Sequence, residues 1–296
     1  MEFLFILYTL SVLGILTFVI LLAVNFKKAL YFGVIFTAIY NYRYFVLSMQ
    51  DAIAMFIAVY DPLDNFLASD PSKIPYLAQC NEPNNICSIF SNSTYSYHPN
   101  WGVTFYTRFT KDASRLAYLY SHIFFITFSF VTMMAQFYNP GGARGGNSTY
   151  HKIVGSLSIL SILIGVVSAY FLFSDHCDEP AYAGCFSMYG FAFMGICVLT
   201  CVIIGRYKAF IGDLKGHQIW MTRFAGSMWG AFWIFRALEV LTGFLLRFHK
   251  TLSLQIVIWF SAPLGILVAE WYQNNYILNK KDEDDSIPLA EIKAWN

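Results

Sequence analysis

Three of the six histidines, His122, His151 and His217, fall within or at the ends of long apolar runs. An ionisable side chain in hydrocarbon is costly and usually faces the bundle interior with a partner, so such residues mark candidate sites. A rise of about 1.5 Å per residue puts His151 and His217 at equal depth, each at the inner mouth of its own helix. Two imidazoles at one depth on two helices are what an axial pair for a single haem iron requires. Arg144, Arg206 and Lys215 collect at the same edge and would suit haem propionates. Gly155, one turn after His151, would let a flat macrocycle approach the backbone. Counted the same way, His122 lies about 7 Å outward of the midplane, with Arg236 at similar depth and Glu239 one turn further out. That trio reads as a proton-relay or ligand-binding cluster, or as a structural Arg236–Glu239 pair with a hydrogen-bonded histidine nearby. A shared three-histidine zinc site is disfavoured by depth. His122 would stand about 20 Å from the other two, against metal bonds of about 2 Å. Of His98, His176 and His249, only His176 or His249 could reach His122 as a second axial pair.

The elements that must position these residues follow from composition. Of 296 residues, 57% are hydrophobic and 12% charged, with a mean hydropathy of +0.51, whereas soluble domains carry about a quarter charged residues. A soluble globular fold is excluded on these grounds, and a net charge of +1 gives no reason to expect a nucleic-acid partner. Apolar runs of about twenty residues, long enough to span a bilayer as helices, recur along the chain. They lie near 3–25, 29–49, 113–137, 153–173, 186–204, 219–246 and 252–271. The expected fold is therefore all-α, a polytopic integral membrane bundle of about seven transmembrane helices whose partner is the lipid bilayer. Residues 1–60 would hold the first two helices and 61–112 an outer loop. Residues 113–272 would form the core bundle of about five helices, and 273–296 an inner charged tail. The first run is flanked by Glu2 and by Lys27 and Lys28, which disfavours a cleavable signal peptide with its basic start and shorter apolar core.

Lys and Arg set the orientation. Lys27, Lys28, Arg144, Lys152, Arg206, Lys208, Lys215, Lys280 and Lys281 all fall on one face of a seven-helix chain. The positive-inside rule then puts the N-terminus outside and the C-terminus inside, with Arg247, His249 and Lys250 on the contrary face. Cys80, Cys87, Cys177 and Cys185 land on the outer face beside the sequon at Asn92, where disulfides would form as 80–87 and 177–185 or crosswise. That placement favours a plasma or secretory-pathway membrane over the mitochondrial inner membrane. The second sequon, at Asn147, falls on the inner face and should stay unmodified.

Weaker motifs are structural in character. Gly226 and Gly230 form a G-x-x-x-G, a sign of close helix packing. The glycine-rich stretch from Gly141 to Gly146 follows a membrane helix rather than a strand, which argues against a phosphate loop. Cys197 and Cys201, one turn apart, suit packing better than redox pairing.

The stretch from His122 to Arg236 has an ordered pattern: His122, then His151-Lys152 with Gly155, then His217-Gln-Ile-Trp220-Met221-Thr-Arg223, and finally Arg236. It resembles an uncharacterised, mostly bacterial family of predicted membrane proteins that share three ordered histidines, a Trp-Met-x-Arg step and a later arginine. The resemblance covers a little under half the chain. Its four central helices look like the haem-bearing bundle of the ascorbate-reducible transmembrane cytochromes, a likeness of fold only. The family's activity is not established and implies little about mechanism, so the leading functional reading rests on the paired depths: a membrane protein with haem b as cofactor, His151 and His217 as iron ligands, His122, Arg223 and Arg236 assisting, and electron transfer within or across the membrane as the function. The alternatives are a non-catalytic subunit or scaffold that meets other membrane subunits through its outer loop, and a proton-coupled transporter.

Overall fold

The computed structural model describes residues 24–47, 112–138, 148–174, 184–239 and 250–274. It also describes residues 52, 241, 242 and 246 and several positions between 13 and 21. Among them no strand occurs. The helices are α1 (Phe26–Val46), α2 (Ala113–Tyr138), α3 (Ser148–Phe173), α4 (Gly184–Phe210), α5 (Leu214–Trp229) and α6 (Lys250–Tyr272). Beyond Trp229, α5 runs on through a π-helical segment, Gly230–Ile234, into a last α-helical turn, Phe235–Glu239. Four segments, Ala113–Phe137, Thr149–Phe173, Cys185–Phe210 and Leu252–Tyr272, are long and apolar enough to cross a membrane. The protein is accordingly an integral membrane protein built of helices. The run near 3–25 and the loop 61–111 lie outside the described residues or almost wholly so.

The outer surface carries the mark of lipid. Ile153, Leu160 and Val167, spaced by seven residues along α3, are 56%, 55% and 54% exposed. On a helix long and apolar enough to cross a membrane, such a stripe suits hydrocarbon. With both sides of the protein apolar, no hydrophobic force holds one helix to another, and close packing and hydrogen bonds must do so. On the α2–α3 seam Ser129 and Ser158 each donate to the other's backbone carbonyl, at 2.9 and 3.0 Å. Asn41 of α1 donates to Thr127 of α2 at 2.9 Å, and Trp233 reaches back from the π segment to Thr37 of α1 at 3.0 Å. Arg43, buried on α1, is engaged locally through all three guanidinium nitrogens. It donates to the carbonyls of Tyr40 and Ala52 and to the Tyr44 hydroxyl, and lies over both tyrosine rings.

Small residues make the α5–α6 seam. A Cβ added at Gly226 would stand 2.4 Å from the Gly265 carbonyl oxygen, and one at Gly230 would stand 2.3 Å from that of Ser261. The G-x-x-x-G of α5 thus meets Ser261 and Gly265 of α6 backbone to backbone. Around this seam and α2 gather Phe130, Met133, Met134, Ile162, Val202, Phe224 and Met228, the largest buried cluster.

Candidate functional site

Two short features fix the entry to α5. Gly212 takes a left-handed φ of 79°, which turns the chain sharply after α4. Asp213 then caps α5: its carboxylate accepts from the Gly216 amide at 2.7 Å and pairs with Lys208 at 3.0 Å. The Gly216 hydrogen bond, followed by Lys208, holds the Asp213 carboxyl below the usual carboxylate range. His217 lies one turn into α5, and its Nδ1 donates to the Gly205 carbonyl of α4 at 2.8 Å. With Nδ1 so engaged, the lone pair is on Nε2, the arrangement a metal-ligating histidine normally has.

His151, in the first turn of α3, meets His217 there. The ring centres are 6.2 Å apart, with the planes at 85°. Among the described residues no group of three or more His, Cys, Asp or Glu side chains converges in a way that could hold a metal. A catalytic zinc takes three protein ligands. The two imidazoles are the only histidine pair in ring contact among the described residues, a two-donor set rather than a three-donor one. Lys152, Arg206 and Lys215 are exposed at the same edge. Gly155, one turn after His151, lies on the α2 side of α3. A Cβ there would stand 3.1 Å from the Gln136 side-chain oxygen, so this glycine faces the Gln136 side chain of α2.

The remaining candidates are placed apart from this pair. His122 of α2 donates from Nδ1 to the Gly165 carbonyl of α3 at 2.9 Å and meets the Phe173 ring edge-on. Arg236 and Glu239 form an i,i+3 pair at 4.0 Å, with the arginine side chain half exposed. Arg223 is ion-paired with Glu270 of α6 and lies 4.3 Å over the Trp220 ring. Cys185 is disulfide-bonded, whereas Cys197 and Cys201 are free thiols. Cys80, Cys87, Cys177 and Asn92 lie outside the described residues.

Sequence reasoning missed Glu270. Its signal is present all the same: between Lys250 and Trp271 it is the one charged residue of its run, and an unshielded carboxylate there requires a cation on a neighbouring helix. Gln273, 3% exposed, sits three residues on, with a buried carbonyl oxygen that has no hydrogen-bond partner.

Comparison with known proteins finds no matching family model, no matching curated protein and no matching solved structure.

Proposed function

We propose that this seven-span membrane protein, N-terminus outside and C-terminus inside, holds a b-type haem iron between His151 and His217 and passes electrons within or across the bilayer. The observation that carries the reading is the meeting of the two imidazoles at 6.2 Å on separate helices, with no third protein ligand converging on them among the described residues. When bound, haem iron supplies reversible one-electron transfer.

The chain's own residues bind and orient. The Gly205 carbonyl fixes the His217 tautomer, leaving Nε2 as the ligand atom. The tight α4–α5 turn sets the depth of His217. Lys152, Arg206 and Lys215 offer positive charge to the two propionates, and Arg144, the further cation the sequence offers for them, lies outside the described residues. His122 and Arg236 would assist from the opposite half. The likeness to the three-histidine membrane family and to the ascorbate-reducible cytochromes supports the same four-helix core. On this topology Cys80, Cys87, Cys177 and Cys185 share the outer face with a glycosylated Asn92, in the plasma membrane or the secretory pathway.

The test is an absorption spectrum of the detergent-purified protein, oxidised and then reduced with dithionite, with metal analysis of the same sample. A Soret band that sharpens on reduction, and is lost in both His151→Ala and His217→Ala, is the expected result. A featureless spectrum from folded protein, or a pigment that survives both substitutions, refutes the haem reading. It would move a non-catalytic scaffold contacting other subunits into its place.

A further inference from the structure

We propose that Arg223, Glu270 and Gln273 form a binding site for the ring of a lipid-soluble quinol, in the half of the bundle that holds His151 and His217. The Arg223–Glu270 pair uses one N–H of the guanidinium and one carboxylate oxygen. The other guanidinium N–H groups and the second carboxylate oxygen have no hydrogen-bond partner among the described residues. Gln273 adds a third open group, a buried carbonyl oxygen with nothing to accept from. A buried acceptor left unpaired is costly, and it points to a missing partner.

These open groups converge. A Cβ on Gly226 would stand 2.5 Å from the Ala269 Cβ, so that face of α6 looks at α5. Gln273 lies one turn beyond Ala269 on the same face, and because Gly226 meets Gly265 and Ala269 while Gly230 meets Ser261, the antiparallel seam puts it level with the turn of α5 that carries Arg223. Cys201 of α4 belongs to the buried cluster on this side, against which Trp220 and Met221 of α5 pack. One turn further along α4, Gly205 accepts from His217, so the polar group adjoins the histidine pair.

Depth and charge define the occupant. Arg223 is nine residues past the start of α5, about 13 Å in from the turn and beyond the reach of a headgroup phosphate. The ion pair is neutral as a whole, so a neutral molecule soluble in hydrocarbon fits it better than an anion. Two open acceptors call for hydroxyl donors, and the open guanidinium N–H groups call for an oxygen acceptor. A quinol hydroxyl is both donor and acceptor. The choice of a quinol over other neutral lipid alcohols rests on the redox reading proposed above.

The experiment is photolabelling of the full-length purified protein with an azido-benzoquinol, followed by peptide mapping, with excess unlabelled quinol or cholesterol as competitor. Label is expected within residues 219–223 and 266–274, displaced by quinol and not by cholesterol. It should be at least tenfold weaker in Gln273→Leu, which removes an unpartnered buried carbonyl and so leaves folding intact. Arg223→Lys, which keeps the charge and loses the fork, should weaken it likewise. No displaceable label in those segments, equal labelling of Gln273→Leu, or equal displacement by cholesterol overturns the proposal. Displaceable label on a protein with a featureless spectrum would sink the haem reading alone. A haem spectrum without such label would sink the quinol site alone.

Discussion

Gly265→Ala puts a methyl group into the tightest approach between α5 and α6. The new Cβ would stand 2.0 Å from the Gly226 carbonyl oxygen and 2.9 Å from the Gly230 Cα, both backbone atoms. No rotamer change relieves such a contact, so the helices must part by at least 1 Å to reach the 3.0 Å that real Cβ atoms keep. Overpacking costs about 1–3 kcal/mol, and a backbone obstacle puts this case at the upper end. Alanine returns about 1 kcal/mol of helix propensity. The net expectation is a loss of about 2 kcal/mol, or about 4–8 °C in apparent melting temperature. Gly195→Ala on α4 is the matched control, since its Cβ would meet one side-chain atom, Val166 Cγ1, at 3.1 Å. It should be neutral or slightly stabilising. The assay is thermal unfolding of both variants and wild type in one detergent at one scan rate, because membrane-protein unfolding is commonly irreversible. If Gly265→Ala melts with Gly195→Ala, the α5–α6 seam is not the close backbone contact described.

Three further outcomes follow from other contacts. Glu270→Ala should cost about 3–5 kcal/mol by stranding Arg223, discounted for the partial exposure of the pair, while Arg223→Met with Glu270→Leu should recover most of the loss; an unrecovered double variant in the same thermal assay would refute the pairing. Asp213 has a depressed folded-state pKa, so its contribution is present above the unfolded value near 3.8 and is lost as pH falls through the lower folded value. Wild type should therefore lose more thermal stability between pH 5 and pH 3 than Asp213→Asn, which caps α5 without titrating; parallel profiles would refute this. Ser129→Ala should cost about 0.6 kcal/mol, the modest worth of a hydrogen bond between membrane helices, and a loss of several kcal/mol would mean the α2–α3 seam depends on more than that contact.

Helix positions were legible because apolar run length is set by the bilayer and survives any detail of packing. The runs near 113–137 and 252–271 coincide with α2 and α6 to within a few residues. Ends were less legible where a helix continues into the polar interface. The run near 186–204 stops at its last apolar residues, whereas α4 reaches Phe210, carrying Arg206 and Lys208 at its mouth. The histidine pair was readable from depth alone. Partners across helices were not, because depth leaves the rotation of each helix undetermined. That is why Arg223 was noticed without Glu270, and why Gly155, placed correctly along its helix, turned out to face Gln136. The π segment at Gly230–Ile234 was hidden for another reason: a single inserted residue leaves the apolar run unbroken.

The three-residue turn between α4 and α5 also bears on how the protein enters its membrane. Arg223, Lys215 and His217 make α5 a poor candidate to leave the translocon on its own, since an arginine near a helix centre costs about 2.5 kcal/mol or more on insertion. Its upstream neighbour α4 is strongly apolar, and residues 211–213 allow no separation between the two. The pair is therefore expected to partition as one hairpin, the apolar helix carrying the polar one into lipid and with it the histidine that meets α3. A glycosylation-mapped insertion assay of α5 alone and of α4–α5 together would register this directly, as failure in the first case and integration in the second.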